Sequence, residues 1–305
     1  MTQQPDMDAL AARVQQLYRL PPMPAIALRV MQMTAAPETT AAQLAGVIER
    51  DPSLAAQVLR YARSALFNYR GELHSVQEAV TRVLGFDRVT HLAVGIAASR
   101  SFELPRSGPL GLEAFWHHSL HCARLSLAIA RRLPRGAARD RLDPELAYLS
   151  GLLHNLGLLL IGHLFPEDYR QLREAREAEP EVALSELEAR IFGVSDQDEQ
   201  APLRVGHASA GGLLLHLWEM PEPVVTVAGM HEIAGYQGRH EPYVHCVQLA
   251  NELLKERGIG DEQTRADPVA AARALGLNQP DLEQLLGTID EVSAEIEDLA
   301  RGLAA

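Results

Sequence analysis

Histidine and asparagine are the residues of this chain best placed to do chemistry. Trp116-His117-His118-Ser119, Leu153-His154-Asn155-Leu156, Gly206-His207-Ala208, Met230-His231-Glu232 and Leu249-Ala250-Asn251 each set a polar side chain within an apolar helical stretch. A neutral imidazole offers one lone pair to a divalent metal. His118, His154, His207 and His231 together would suit Zn²⁺, Ni²⁺ or Fe²⁺. An amide oxygen such as that of Asn155 or Asn251 can coordinate a metal, but it brings no charge and cannot act as a base. The same residues equally suit a neutral hydrogen-bonded network that fixes a core. His117 and His121 lie one helical turn apart. No third ligand or Glu base accompanies them, so that pair is read as incidental.

These residues need helices to hold them, and helical signals dominate. Thr40 with Gln43, and Ser75 with Glu78, read as capping boxes. Asp51-Pro52, Asp143-Pro144 and Asp267-Pro268 each set an N-cap acid before a first-turn proline. Between the caps apolar residues recur at three and four, as in Leu54, Val58, Leu59 and Ala62. No run of alternating β-branched residues is bounded by hairpin turns. The fold class is therefore all-α. Glu103 to Leu112, with two prolines and two glycines, reads as a linker. It divides a lobe of several short helices, residues 1–102, from a larger helical domain, residues 113–305. Further loops are expected at Gly193 to Pro202 and Gly235 to Pro242, and an acidic helix from Pro280. All but His74 and His91 of the 12 histidines follow the linker.

The order of the polar residues resembles the HD superfamily of metal-dependent phosphohydrolases, whose pattern is a His, a His-Asp pair, further histidines and a final Asp. On that resemblance His118, His154, Asn155, His207, His231 and Asn251 mark a vestigial HD site. The departures fall at its acidic positions: the pair reads His154-Asn155, Asn251 stands for the final Asp, and Leu158 replaces a Lys that can meet phosphate. The first lobe is similar to the HDOD family of bacterial signalling proteins. Leu20-Pro21-Pro22-Met23-Pro24 matches its LPPLP-type opening, Asp51-Pro52-Ser53-Leu54 its DP-x-L turn, and Ala79-Val80 to Leu84-Gly85 its final helix. In the segment matching LxxANSA, Arg63 replaces the Asn. The resemblance runs from about Leu20 to Leu254. Gly235-Tyr236-Gln237 shares two residues with the GYP signature of cyclic-dinucleotide phosphodiesterases, lacks its Pro, and is read as chance.

The resemblance implies a multi-helix bundle with the small lobe packed on a degenerate HD-like domain, and a bacterial regulatory role. The expected function is non-catalytic signal transduction through protein–protein or small-ligand binding. The alternatives are a residual metal-dependent phosphohydrolase, or a nucleotide sensor without turnover. No catalytic residue and no cofactor are expected. If a metal binds, its ligands are His118, His154, His207 and His231. Only about 19 residues precede the resemblance, so a stand-alone copy with input from a partner or ligand is expected. A net charge of −12 disfavours a nucleic-acid partner. Arg131, Arg132, Arg135, Arg139 and Arg141 read as a solvated surface near a helix C-terminus. Two cysteines, Cys122 and Cys246, read as buried thiols. No secretory signal is present and no apolar run approaches the ~20 residues of a membrane span. A cytoplasmic location follows, with regulatory protein partners. Leu282, Leu285, Leu286 and Ile289 offer either a homodimer seam or contacts to the chain's own core.

Overall fold

The computed structural model describes residues 20–34, 36, 38–192, 206–264 and 267–305. It is all-α, with no strand among the described residues. The Gly193–Pro202 loop lies outside them.

The lobe opens with α1 (Ala25–Thr34), α2 (Ala41–Ile48) and α3 (Pro52–Ala62). Thr40 and Gln43 close a full capping box on α2, and Asp51 caps α3 ahead of Pro52. Ser75 caps α4 (Val76–Ala79), while the Glu78 carboxylate accepts from the His74 backbone rather than completing the box. A π-helical turn, Val80–Leu84, then reverses at Gly85, whose φ of 83° favours glycine. The chain passes at once into α5 (Phe86–Ser99). Residues 89–99 of α5 are buried on every side, because α5 lies between α1 and the second half.

The Glu103 to Leu112 segment is a loop as far as Gly111, but it is tied down. Tyr169 Oη donates to the Leu110 carbonyl at 2.7 Å and Arg173 Nε to that of Pro109 at 2.7 Å. The spine of the second half is α6 (Leu112–Arg132), which carries Trp116 to Ser119 within its first half. After a short turn of helix, α7 (Ala137–Asp140), come α8 (Pro144–Leu153), α9 (Leu156–Leu164), α10 (Pro166–Ala178) and α11 (Leu184–Phe192). They are followed by α12 (His207–Leu217), α13 (Glu222–Met230), α14 (Glu241–Lys255) and α15 (Val269–Leu275). Asp143 caps α8 as expected, whereas α15 starts one residue after Pro268. The acidic tail is two helices, α16 (Gln279–Asp290) and α17 (Ser293–Leu303).

One apolar core joins α1–α5 to α6, α8–α13 and α17; a second fills the space between the other face of α6 and α14–α16. Leu282, Leu285 and Ile289 are buried in that second core and Leu286 packs against it. The chain's own core therefore takes all four residues of the seam. The stretch Pro144–Leu164 is, contrary to the sequence reading, long and apolar enough to cross a membrane. It is 89% buried inside the protein and broken between α8 and α9, as expected of core helices.

Candidate functional site

The site forms where five helix segments meet. His118 lies on α6. At the corner between α8 and α9, His154 keeps helical angles while Asn155 turns to φ −96°, ψ 13°. This kink aims both side chains off the helix ends. His207 is the first residue of α12, His231 the C-cap of α13, and Asn251 lies on α14. Close backbone contact sets the spacing: a Cβ on Gly157 of α9 would fall 1.8 Å from the His207 carbonyl and 2.7 Å from the Gly211 nitrogen. All six residues expected from the sequence thus converge. His118, Asn155, His207, His231 and Asn251 line a cavity of about 440 Å³, and His154 lies behind them, fully buried.

The imidazoles form two pairs. His118 Nε2 is 3.1 Å from His154 Nε2, and His207 Nε2 is 3.2 Å from His231 Nε2. Tautomer choice satisfies the first pair. His154 Nδ1–H donates to the Gly151 carbonyl at 2.9 Å, leaving its Nε2 lone pair to accept from His118 Nε2–H. Asn251 Nδ2 approaches the same lone pair at 3.4 Å. The second pair has no such solution. His207 Nδ1 faces the Glu188 carboxylate at 2.9 Å, and His231 Nδ1 faces the Val227 and Ala228 carbonyls at 3.2 and 3.0 Å. Both Nδ1 atoms must donate, so two Nε2 lone pairs would oppose each other unless a positive charge lies between them.

Without a metal, a proton on His207 supplies that charge. Burial alone would lower the His207 pKa, but Glu188, by charge and hydrogen bond, with Glu232 and Asp261, raises it to about 9. Burial holds His231 down at about 4 and His154 well below the usual histidine range, so both stay neutral. The amides are committed elsewhere. Asn155 Nδ2 donates to Asp261, and Asn251 Oδ1 accepts from the Cys122 thiol at 3.3 Å. Two polar atoms of this cluster are left buried without a partner, Asn155 Oδ1 and His118 Nδ1.

The sequence reading missed the carboxylates. Asp261 Oδ2, from the loop after α14, is 3.7 Å from His118 Nε2; Glu232 Oε1 is 3.5 Å from His231 Nε2 and 3.7 Å from His207 Nε2. Glu252, Glu262 and Asp267 also line the cavity, while its Lys255 is held by Glu252 at 2.9 Å and Glu262 at 2.7 Å. Amides stand at the two acidic positions of the pattern, and the charge of the pocket enters from other positions. Glu188 was detectable, since it falls among Leu184, Leu187 and Phe192 on the buried face of α11. Glu232 is adjacent to His231 in the chain. Asp261, in a glycine-rich loop, carries no local signal that ties it to α6.

The remaining residues do not line the cavity. His117 and His121 contact each other edge to face at 4.8 Å, away from the cavity. Arg131 pairs with Glu145 at 3.1 Å and Arg141 with Glu241 at 3.0 Å, consistent with a surface of neutralised charges. Cys122 and Cys246 are free and buried, and burial pushes the Cys246 thiol up to about 12. Trp218 Nε1 donates to the Pro21 carbonyl at 2.9 Å, so the Pro-rich opening is a lead-in packed on the second half.

A bundle whose helix ends focus four histidines on one cavity is an HD-like helical domain. The HDOD domain family model matches residues 20–234, and the chain belongs to that family. Its solved relatives include a protein proposed to act in signal transduction from Marinobacter aquaeolei VT8. That protein is 29% identical with a TM-score of 0.81, over 98% of this chain and 66% of that one. An HDOD domain protein of unknown function from Geobacter sulfurreducens is 23% identical, with a TM-score of 0.71, over 96% of this chain and 99% of that one. A protein proposed to be a phosphohydrolase from Shewanella amazonensis SB2B is 21% identical, with a TM-score of 0.67, over 96% and 98%. An uncharacterised protein of Treponema pallidum is 26% identical over 220 residues, 72% of this chain but 39% of that protein. The chain thus spans under two thirds of the Marinobacter and Treponema relatives.

Proposed function

We propose that this chain is a signal-transduction module of the cytoplasm that acts by binding, at its cavity and through regulatory protein partners, and not by turnover. One observation carries this reading. The two amides at the acidic positions of the HD pattern are used as hydrogen-bonding groups of the core, Asn155 to Asp261 and Asn251 to Cys122 and His154. Phosphoester hydrolysis needs an activated water and groups that neutralise the phosphate. Leu158, at the position that can meet phosphate, is buried in the core, and the cavity's Lys255 is already paired with two carboxylates.

The cavity fits a divalent metal in its donor set. His118, His154, His207 and His231 would hold it, and a bound metal would supply positive charge to a cavity rich in carboxylates. That charge bears on ligand choice. Without it the cavity repels a nucleotide or cyclic dinucleotide; with it an anionic ligand becomes acceptable. One observation favours the second reading, a residual metal-dependent phosphohydrolase: Glu232 and Asp261 restore carboxylates beside the imidazoles.

Hydrolysis assays separate the two. Protein loaded with Zn²⁺, Mn²⁺ or Ni²⁺ is expected to leave phosphodiester and nucleotide substrates intact, while cyclic dinucleotides raise its melting temperature only in the presence of the metal. Turnover that disappears in His154→Ala would overturn the binding reading.

A further inference from the structure

We propose that the cavity, when no metal is bound, takes a small aliphatic ammonium or guanidinium compound, held by Glu232, Asp261 and the amide oxygen of Asn155. This rests on the reading of the cavity as a binding site, and names the chemical class of its organic ligand.

Charge is the first argument. Glu232, Glu252, Asp261, Glu262 and Asp267 line the cavity. The positive groups beside them are Lys255 and a protonated His207, and no arginine among the described residues lines the wall. Even with both groups charged, the carboxylates are in excess. Such a cavity repels a phosphate and attracts a cation.

Hydrogen bonding is a second and independent argument. Much of the cavity's donor capacity is already committed within the protein. Lys255 Nζ serves Glu252 at 2.9 Å and Glu262 at 2.7 Å. Gln248 Nε2 donates to the His231 and Ile233 carbonyls at 3.2 and 2.8 Å, and His245 Nδ1–H donates to Gln248 Oε1 at 3.1 Å. Tyr236 Oη donates to the Arg239 carbonyl at 3.1 Å, and Asn155 Nδ2 to Asp261. Acceptors remain. Asn155 is 3% exposed and lines the cavity, and its Oδ1 has no partner. The Glu232 carboxylate has only the Nε2 atoms of His231 and His207 near it, at 3.5 and 3.7 Å, and accepts no hydrogen bond among the described residues. The wall therefore calls for positive charge that carries hydrogens. An ammonium brings three N–H donors and a guanidinium five, and hydrogen bonds between ionised partners are the strong ones.

Shape agrees with a small aliphatic cation. A volume of about 440 Å³ lies within the range of small-molecule sites. His245, Gln248, Glu252 and Lys255 recur at three and four along one face of α14. Packed against α14 is α15, which adds only the methyl groups of Ala270, Ala271 and Ala274 to the lining. An alkyl stem can lie on those methyls while its charged head meets the carboxylates.

The test titrates 1,4-diaminobutane and agmatine into the full chain after chelation and dialysis, by calorimetry and by thermal shift. One equivalent of at least one compound is expected to bind and to raise the melting temperature. Uncharged 1,4-butanediol, of like length, is expected to do neither. Glu232→Gln keeps the shape and removes a charge from a side chain 36% exposed, so the fold should persist. It should weaken binding about 10-fold or more, the loss of one hydrogen bond to a charged group. Glu283→Gln, on the exposed side of α16 and outside the cavity, should leave the affinity unchanged. The inference is overturned if neither amine binds, if the diol binds as well, or if Glu232→Gln keeps full affinity. Equal weakening in both variants also overturns it, by assigning the binding to general attraction toward an acidic surface. None of these readouts measures turnover, so the binding reading stands or falls separately by the hydrolysis assay.

Discussion

Two buried histidines show how the same side chain takes opposite charge according to its neighbours. His207 has Glu188 against its ring and is raised to about 9; His91, on α5, has no partner for Nδ1 and is lowered to about 4, chiefly by burial. His91 stacks on Tyr148 at 6.3 Å, where the lobe meets α8. Its folded pKa lies below the unfolded value of 6.5, so the unfolded chain takes up the proton first. The stabilisation from neutral His91 is complete above pH 6.5 and is lost as pH falls toward 4. Its size is about 3 kcal/mol, from a shift of roughly two and a half units at ~1.4 kcal/mol each. Thermal melts between pH 7 and pH 4 should show a falling melting temperature, and His91→Leu should flatten that slope. An equal slope in the variant would assign the acid sensitivity to other groups.

At the scale of elements, the caps and apolar periods were legible in the sequence, because each depends on residues within one turn. Thr40, Asp51 and Asp143 cap as their neighbours require. The histidines and amides of the site were legible as polar interruptions of apolar helices. What brings α9 against α12 was not legible, since it depends on two glycines far apart in the chain. Gly157 and Gly211 let the backbones touch, and that contact sets His207 beside the kink bearing His154. Gly157→Ala inserts a methyl where a carbonyl oxygen already stands. It should cost about 3 kcal/mol or more, the upper range for overpacking. Gly46 is the control. It lies within α2, and a Cβ there would meet nothing within 4 Å, so Gly46→Ala should stabilise by about 1 kcal/mol. Denaturant melts of the two variants, compared with wild type, test the pair. Equal effects would mean that helix propensity, and not the α9–α12 contact, controls both positions.

At the scale of the molecule, the Glu103 to Leu112 segment joins two stretches of chain that share a core. The larger core contains residues from both sides of Glu103 to Leu112. Polar contacts cross between the halves: Tyr61 and Tyr148 share a hydrogen bond at 3.1 Å, Arg88 pairs with Glu145 at 3.3 Å, Trp218 reaches the Pro21 carbonyl, and Arg60 reaches the Asp298 carbonyl at 3.2 Å. Asp298 belongs to α17, which packs on both α6 and α3. Its buried Ile296, Leu299 and Ala300 recur at helical spacing, so a single apolar stripe fastens the C-terminus to the lobe. Ile296 and Leu299 each contribute about 1.5–3 kcal/mol by burial. We therefore expect the full chain to unfold in one transition, with fluorescence of the buried Trp116 and Trp218 coincident with loss of helical circular dichroism. Truncation after Val292 removes the stripe. The truncated chain should melt lower, and its two signals should separate as the lobe releases before the bundle. Coincident signals in the truncated chain would mean that α5 against α8 and Tyr61 against Tyr148 couple the halves without α17.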